Sequence, residues 1–79
     1  MTITLTASTG AKIFVWREED MFHARLADQS EVQICLGIDL FEVIAELAGL
    51  DLEHDRQAQE AVSLADRAQL QLAQPPADR

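Results

Sequence analysis

Seventy-nine residues carrying 14 carboxylates against six Lys and Arg make a small acidic chain with a formal charge of −8. That length supports one domain, and its field repels nucleic acid and membrane surfaces while attracting a basic partner. Hydrophobic residues make up 48 %, too many for general disorder, and the lone Cys35 excludes an intramolecular disulfide.

The first half of the chain alternates with period two, the pattern of half-buried strands. Strands are expected at Thr2 to Thr6, Ala11 to Arg17, Met21 to Leu26 and Glu31 to Leu36. The connections between them are short and polar, so an antiparallel meander follows. Pairing Trp16 with Met21, and Leu26 with Val32, matches apolar faces along the sheet. One face then carries Ile3, Leu5, Ile13, Val15, Phe22, Ala24, Leu26, Val32, Ile34 and Leu36. The opposite face carries Lys12, Phe14, Trp16, Met21, His23, Arg25, Gln33 and Cys35.

The second half has helical spacing. Asp39 is an expected N-cap with Glu42 as its capping-box partner, and Gly49 stands at the C-terminal stop with Leu50 behind it. Ile38, Phe41, Ile44, Ala45, Leu47 and Ala48 give this first helix its apolar face. Asp51 is expected to cap a second helix reaching about Ala73, roughly 33 Å at ~1.5 Å per residue. Its stripe is Ala58, Ala61, Val62, Ala65, Ala68 and Leu72, with Leu64 and Leu70 partly off it. The fold expected is therefore α+β, a four-stranded antiparallel meander followed by two helices. It forms a single domain over residues 1–74 with a flexible tail at 75–79. Phe14, Trp16 and Met21 on the uncovered face call for a partner. That face and the long second helix are the two surfaces on which copies of the chain would pair as a homodimer.

Catalytic and metal chemistry find little support. Asp51, Glu53 and Asp55 alternate like the start of an EF-hand loop, but Arg56 replaces the glycine of the turn and Val62 the bidentate glutamate. His23 and His54 have no zinc-ligand partner at the right spacing. Cys35 has nothing near it in sequence that would form a thiolate, and only a facing His23 would make it a nucleophile. No phosphate-binding glycine loop exists among Gly10, Gly37 and Gly49. No enzyme activity, cofactor, metal or direct nucleic-acid binding is expected.

The charge distribution is more informative. Eleven of the 14 carboxylates lie between Glu18 and Asp55, and Arg25 is the one basic residue among them. Asp39, Glu42 and Glu46 fall on one stripe of the first helix, and Asp28 and Glu31 flank the loop before the fourth strand. Glu18, Glu19 and Asp20 crowd one hairpin tip, where like charges repel and no capping role explains them. Carboxylates spaced in this way can occupy phosphate positions on a basic groove built for DNA. Phe14 and Trp16 would supply the apolar anchor that long-range charge lacks.

A short, acidic, motif-free chain of this composition resembles the small anti-CRISPR proteins of phages and prophages, several of which are acidic DNA mimics. Glu18-Glu19-Asp20 and Ile38-Asp39-Leu40-Phe41-Glu42 are similar to what an inhibitor of a type I-C complex would carry. The likeness is one of whole-chain character and rests on no diagnostic motif. It implies a stoichiometric, non-catalytic inhibitor that binds a basic surface of a Cascade subunit and blocks target-DNA or PAM recognition in the bacterial cytoplasm. The rival expectations are an acidic regulatory adaptor or antitoxin-like interaction module, and a small enzyme using His23 and Cys35. Neither a signal peptide nor a transmembrane run is read in the chain, consistent with a cytoplasmic site of action.

Overall fold

The computed structural model describes residues 1–72, and the expected tail at 75–79 lies outside them. Four strands, β1 (Thr2–Thr6), β2 (Lys12–Glu18), β3 (Met21–Leu26) and β4 (Gln33–Cys35), form one antiparallel sheet in the order β1-β2-β3-β4. A 3-10 turn, Gly37–Asp39, leads into α1 (Leu40–Ala48), and α2 (Asp55–Leu72) closes the described chain. The architecture is the expected α+β meander followed by two helices.

The core lies between one sheet face and the two helices. Ile3 and Leu5 of β1, Ile13 and Val15 of β2, and Phe22 and Ala24 of β3 point inward, as their alternation predicts. Leu40, Ile44, Ala45 and Ala48 of α1 meet them, and Ala61, Leu64, Ala65 and Ala68 of α2 complete the cluster. The small α2 residues let that helix approach closely, so it packs on the core along a stripe of alanines. Val62, expected on this stripe, is exposed, and Leu64 is buried in its place. Two polar ties fasten the helices to the β1–β2 turn. Ser8 donates to the Glu60 carboxylate through both its backbone N–H and its hydroxyl, each at 2.6 Å, and Thr9 Oγ1 donates to the Ala48 carbonyl at 2.7 Å.

Two registers differ from the pattern-matched ones. In the β2–β3 hairpin Glu18 pairs with Met21 and Trp16 with His23, so the connection is only Glu19-Asp20. The shift is by two residues, which leaves every side chain on its expected face. The second difference is by one residue. Phe22 pairs with Cys35 and His23 with Ile34, which turns β4 over. Cys35 is therefore buried in the core, while Val32, Ile34 and Leu36 are exposed. Leu40, the first residue of α1, is fully buried in the core. Ile38, assigned to the helix face, instead lies in the exposed 3-10 turn.

Helix ends also differ in their chemistry. Asp39 flanks α1 but makes no side-chain cap. The 3-10 turn satisfies backbone donors instead, through Asp39 N–H to the Leu36 carbonyl at 3.0 Å and Leu40 N–H to the Gly37 carbonyl. The C-terminal stop is as expected. Gly49 takes φ 73°, its N–H reaches the Glu46 carbonyl, and Leu50 N–H reaches the Ala45 carbonyl at 2.8 Å while its side chain is buried. Asp51 starts a turn rather than a helix: its Oδ1 accepts from Glu53 N–H at 2.9 Å and its carbonyl accepts from His54 N–H at 3.0 Å. This turn delays α2 to Asp55.

Candidate partner-binding surface

The β2–β3 tip is built by a turn that its sequence does not favour. Two-residue hairpins need positive φ at the turn and usually place Gly or Asn there. Here Glu19 takes φ 56° with no glycine at hand. A left-handed backbone at a residue with a Cβ costs about 1–2 kcal/mol. Arg17 offsets part of this cost, since its Nε donates to the Glu19 carbonyl at 3.0 Å and its Nη2 lies 3.7 Å from Asp20 Oδ1. Glu18 is held from the other side. Trp16 Nε1 donates to its Oε1 at 3.2 Å, and His23 Nε2 lies 4.0 Å from Oε2. Trp16 and His23 stack with centroids 5.5 Å apart and planes 20° from parallel. Among the described residues the Glu19 carboxylate has no side-chain partner and stands at the apex of the turn.

Sheet topology brings further carboxylates to this end. Because Cys35 pairs with Phe22, β4 runs back toward the tip, and the turn Gly37–Asp39 follows there. A Cβ on Gly37 would stand 3.3 Å from the Phe22 ring, so the turn lies against the tip end of β3. Asp39 is close enough to Cys35 to add to the rise in its thiol pKa, which burial causes in the first place. Glu18, Glu19, Asp20 and Asp39 thus share one end of the sheet, with Glu42 in the first turn of α1. Asp28 and Glu31 occupy the connection at the opposite end of β3, about 17 Å away for a strand of this length. Glu46 lies one helical turn beyond Glu42. All of these carboxylates are exposed. The acidic residues expected to act together therefore form two groups, one at each end of the sheet, with α1 between them.

Phe14 and Trp16, the expected anchors, are half-buried on the outer face. The Arg25 guanidinium covers the Phe14 ring at 4.8 Å and is itself held by donating to the carbonyls of Leu26 at 3.2 Å and Gln29 at 2.8 Å. Thr2, Phe14, Trp16, Glu18 and Arg25 line a shallow groove there. A run of exposed apolar side chains lies elsewhere, at Val32, Ile34, Leu36 and Ile38 in and around β4. The alternation of Val32, Ile34 and Leu36 was visible in the sequence, but it was read as pointing inward.

The structure also separates the one pair considered for catalysis. Cys35 faces the core and His23 the outer face, so no thiol–imidazole contact forms. Among the described residues no cluster of three His, Cys, Asp or Glu side chains is arranged to hold a metal ion, and no helix is long and apolar enough to cross a membrane. Comparison with protein-family models, curated proteins and solved structures finds no match.

Proposed function

We propose that this protein is a stoichiometric, non-catalytic inhibitor that binds a basic DNA-binding surface of a type I-C Cascade complex in the bacterial cytoplasm and excludes target DNA. The observation that carries this reading is the Glu18-Glu19-Asp20 tip, where a carboxylate sits on a left-handed backbone that glycine would adopt at lower cost. Strained positions held by their surroundings cluster at functional sites. Asp39 and Glu42 extend the negative end toward α1, and the groove at Phe14 and Trp16 adjoins Glu18. Carboxylates gathered on one hairpin tip suit Lys and Arg side chains arrayed for phosphates.

Charge reversal is the test. Glu18→Lys, Glu19→Lys and Asp20→Lys combined should weaken binding to purified Cascade by at least about tenfold and flatten its salt dependence. Equal affinity for the triple variant would reject the tip as the contact. Absence of any complex with the unmodified protein would instead favour the acidic adaptor or antitoxin-like reading.

A further inference from the structure

β4 is a short edge strand with no lysine, proline or charge along it. It is paired on one side only, with β3, and among the described residues no strand pairs with its other side. Natural edges are commonly blunted by lysine, proline, a bulge, an inward charge or shortness, and β4, at three residues, has the last of these. The segment Val32-Gln33-Ile34-Cys35-Leu36 contains none of the first two and no charge at all. Its outward side chains are Val32, Ile34 and Leu36, at 38, 58 and 49 % exposure, and Ile38 follows at 78 %. The inner positions are secured by Cys35 against Phe22 and by Gly37, whose carbonyl accepts from Gln69 Nε2 at 2.6 Å. Ile34 also continues an outer-face row from Trp16 through His23. The edge is thus both apolar and held in place from behind.

Charge decides what fits it. No Lys or Arg lies between Arg25 and Arg56, while Asp28, Glu31 and Asp39 bracket the strand. A second copy, also at −8, would bring acidic strand ends face to face in an isologous pairing. A segment with Lys or Arg alternating with apolar residues instead brings cations to those acidic ends and apolar side chains to the uncharged middle.

We infer that β4 is a strand-addition site, which accepts an extended basic segment of the partner as a fifth strand, its apolar residues lying over Ile34 and its cations reaching Glu31 and Asp39. Main-chain pairing supplies affinity in such a mode, and alternate side chains supply specificity. The inference rests on the reading above that the partner is basic, and it adds where that partner docks.

The test uses the full chain, labelled with 15N, and a capped heptapeptide alternating Lys and Val. Saturable amide shifts at Gln33–Cys35 with slowed solvent exchange are expected. The effect should vanish with a Glu/Val peptide and weaken by at least about tenfold in Ile34→Lys, whose core amide shifts report that it still folds. Four results would each overturn the inference: no saturable shift, equal binding of the Glu/Val peptide, shifts at Phe14 and Trp16 with β4 unmoved, or β4 shifts that depend on protein concentration without peptide. Failure of the functional reading is seen separately. Peptide capture at β4 without any Cascade binding rejects the inhibitor and keeps the strand site, whereas Cascade binding without peptide capture does the reverse.

Discussion

Glu19 is the one non-glycine residue with positive φ among the described residues. Replacing it with glycine removes a Cβ from a left-handed backbone, and Glu19→Gly should raise folding stability by about 1 kcal/mol. The same change removes the apex carboxylate, so partner binding should weaken while the melting temperature rises. Thermal denaturation and a binding titration on one variant check both halves. Glu60 supports a second prediction. The Ser8 hydroxyl and then the Ser8 backbone N–H hold its carboxylate below the usual glutamate pKa. A depressed carboxylate contributes stability above its unfolded pKa, about 4.3, and loses it as pH falls through the folded value. Glu60→Gln should therefore melt lower than the parent at pH 7, with the gap closing in the acid range. An unchanged gap from neutral to acid pH would contradict this. Cys35, whose thiol is pushed up by burial and then by Asp39, should alkylate at least about tenfold more slowly in the native than in the denatured chain.

At the scale of elements, the sheet order, both helices and the Gly49 stop were legible because each rests on local pattern: period-two alternation, helical spacing, a glycine in the left-handed region. Register was less so. A two-residue β2–β3 turn normally announces itself with Gly or Asn, and Glu19-Asp20 carries neither. The inversion of β4 has a different origin. Val32, Ile34 and Leu36 form a better apolar set than Gln33 and Cys35, and only tertiary packing decides against them. Leu40 enters the core from the start of α1, Gly37 closes on Phe22, and the small Cys35 fits beneath. Asp39 and Asp51 show the same limit: a 3-10 turn supplies the bonds beside Asp39 at the start of α1, and Asp51 uses its Oδ1 in a turn four residues before α2 begins. The packing difference is measurable. Leu40→Ala should cost about 2–5 kcal/mol, while Ile38→Ala, at an exposed position, should stay within about 0.5 kcal/mol. Chemical denaturation of the two variants distinguishes the observed α1 packing from the pattern-based one, in which their ranking reverses.

Over the whole molecule, the candidate site was legible as charge and illegible as shape. The concentration of carboxylates between Glu18 and Asp55 is plain from the sequence, but their division between the two ends of the sheet follows from the β4 direction. The aromatic anchors were named correctly as outer-face residues, although Arg25 shields Phe14 and His23 stacks on Trp16. Pairing of two copies through α2 would have to use Val62 and Leu70, since the alanine stripe is committed to the core. The most direct measurement of the central claim is an electrophoretic mobility shift of target DNA with purified type I-C Cascade, preincubated with this protein at physiological salt. DNA mimicry predicts loss of the shifted band at near-stoichiometric protein, restored by the Lys-substituted tip at Glu18, Glu19 and Asp20. An undiminished shift, with no co-elution of the protein on Cascade, would contradict it.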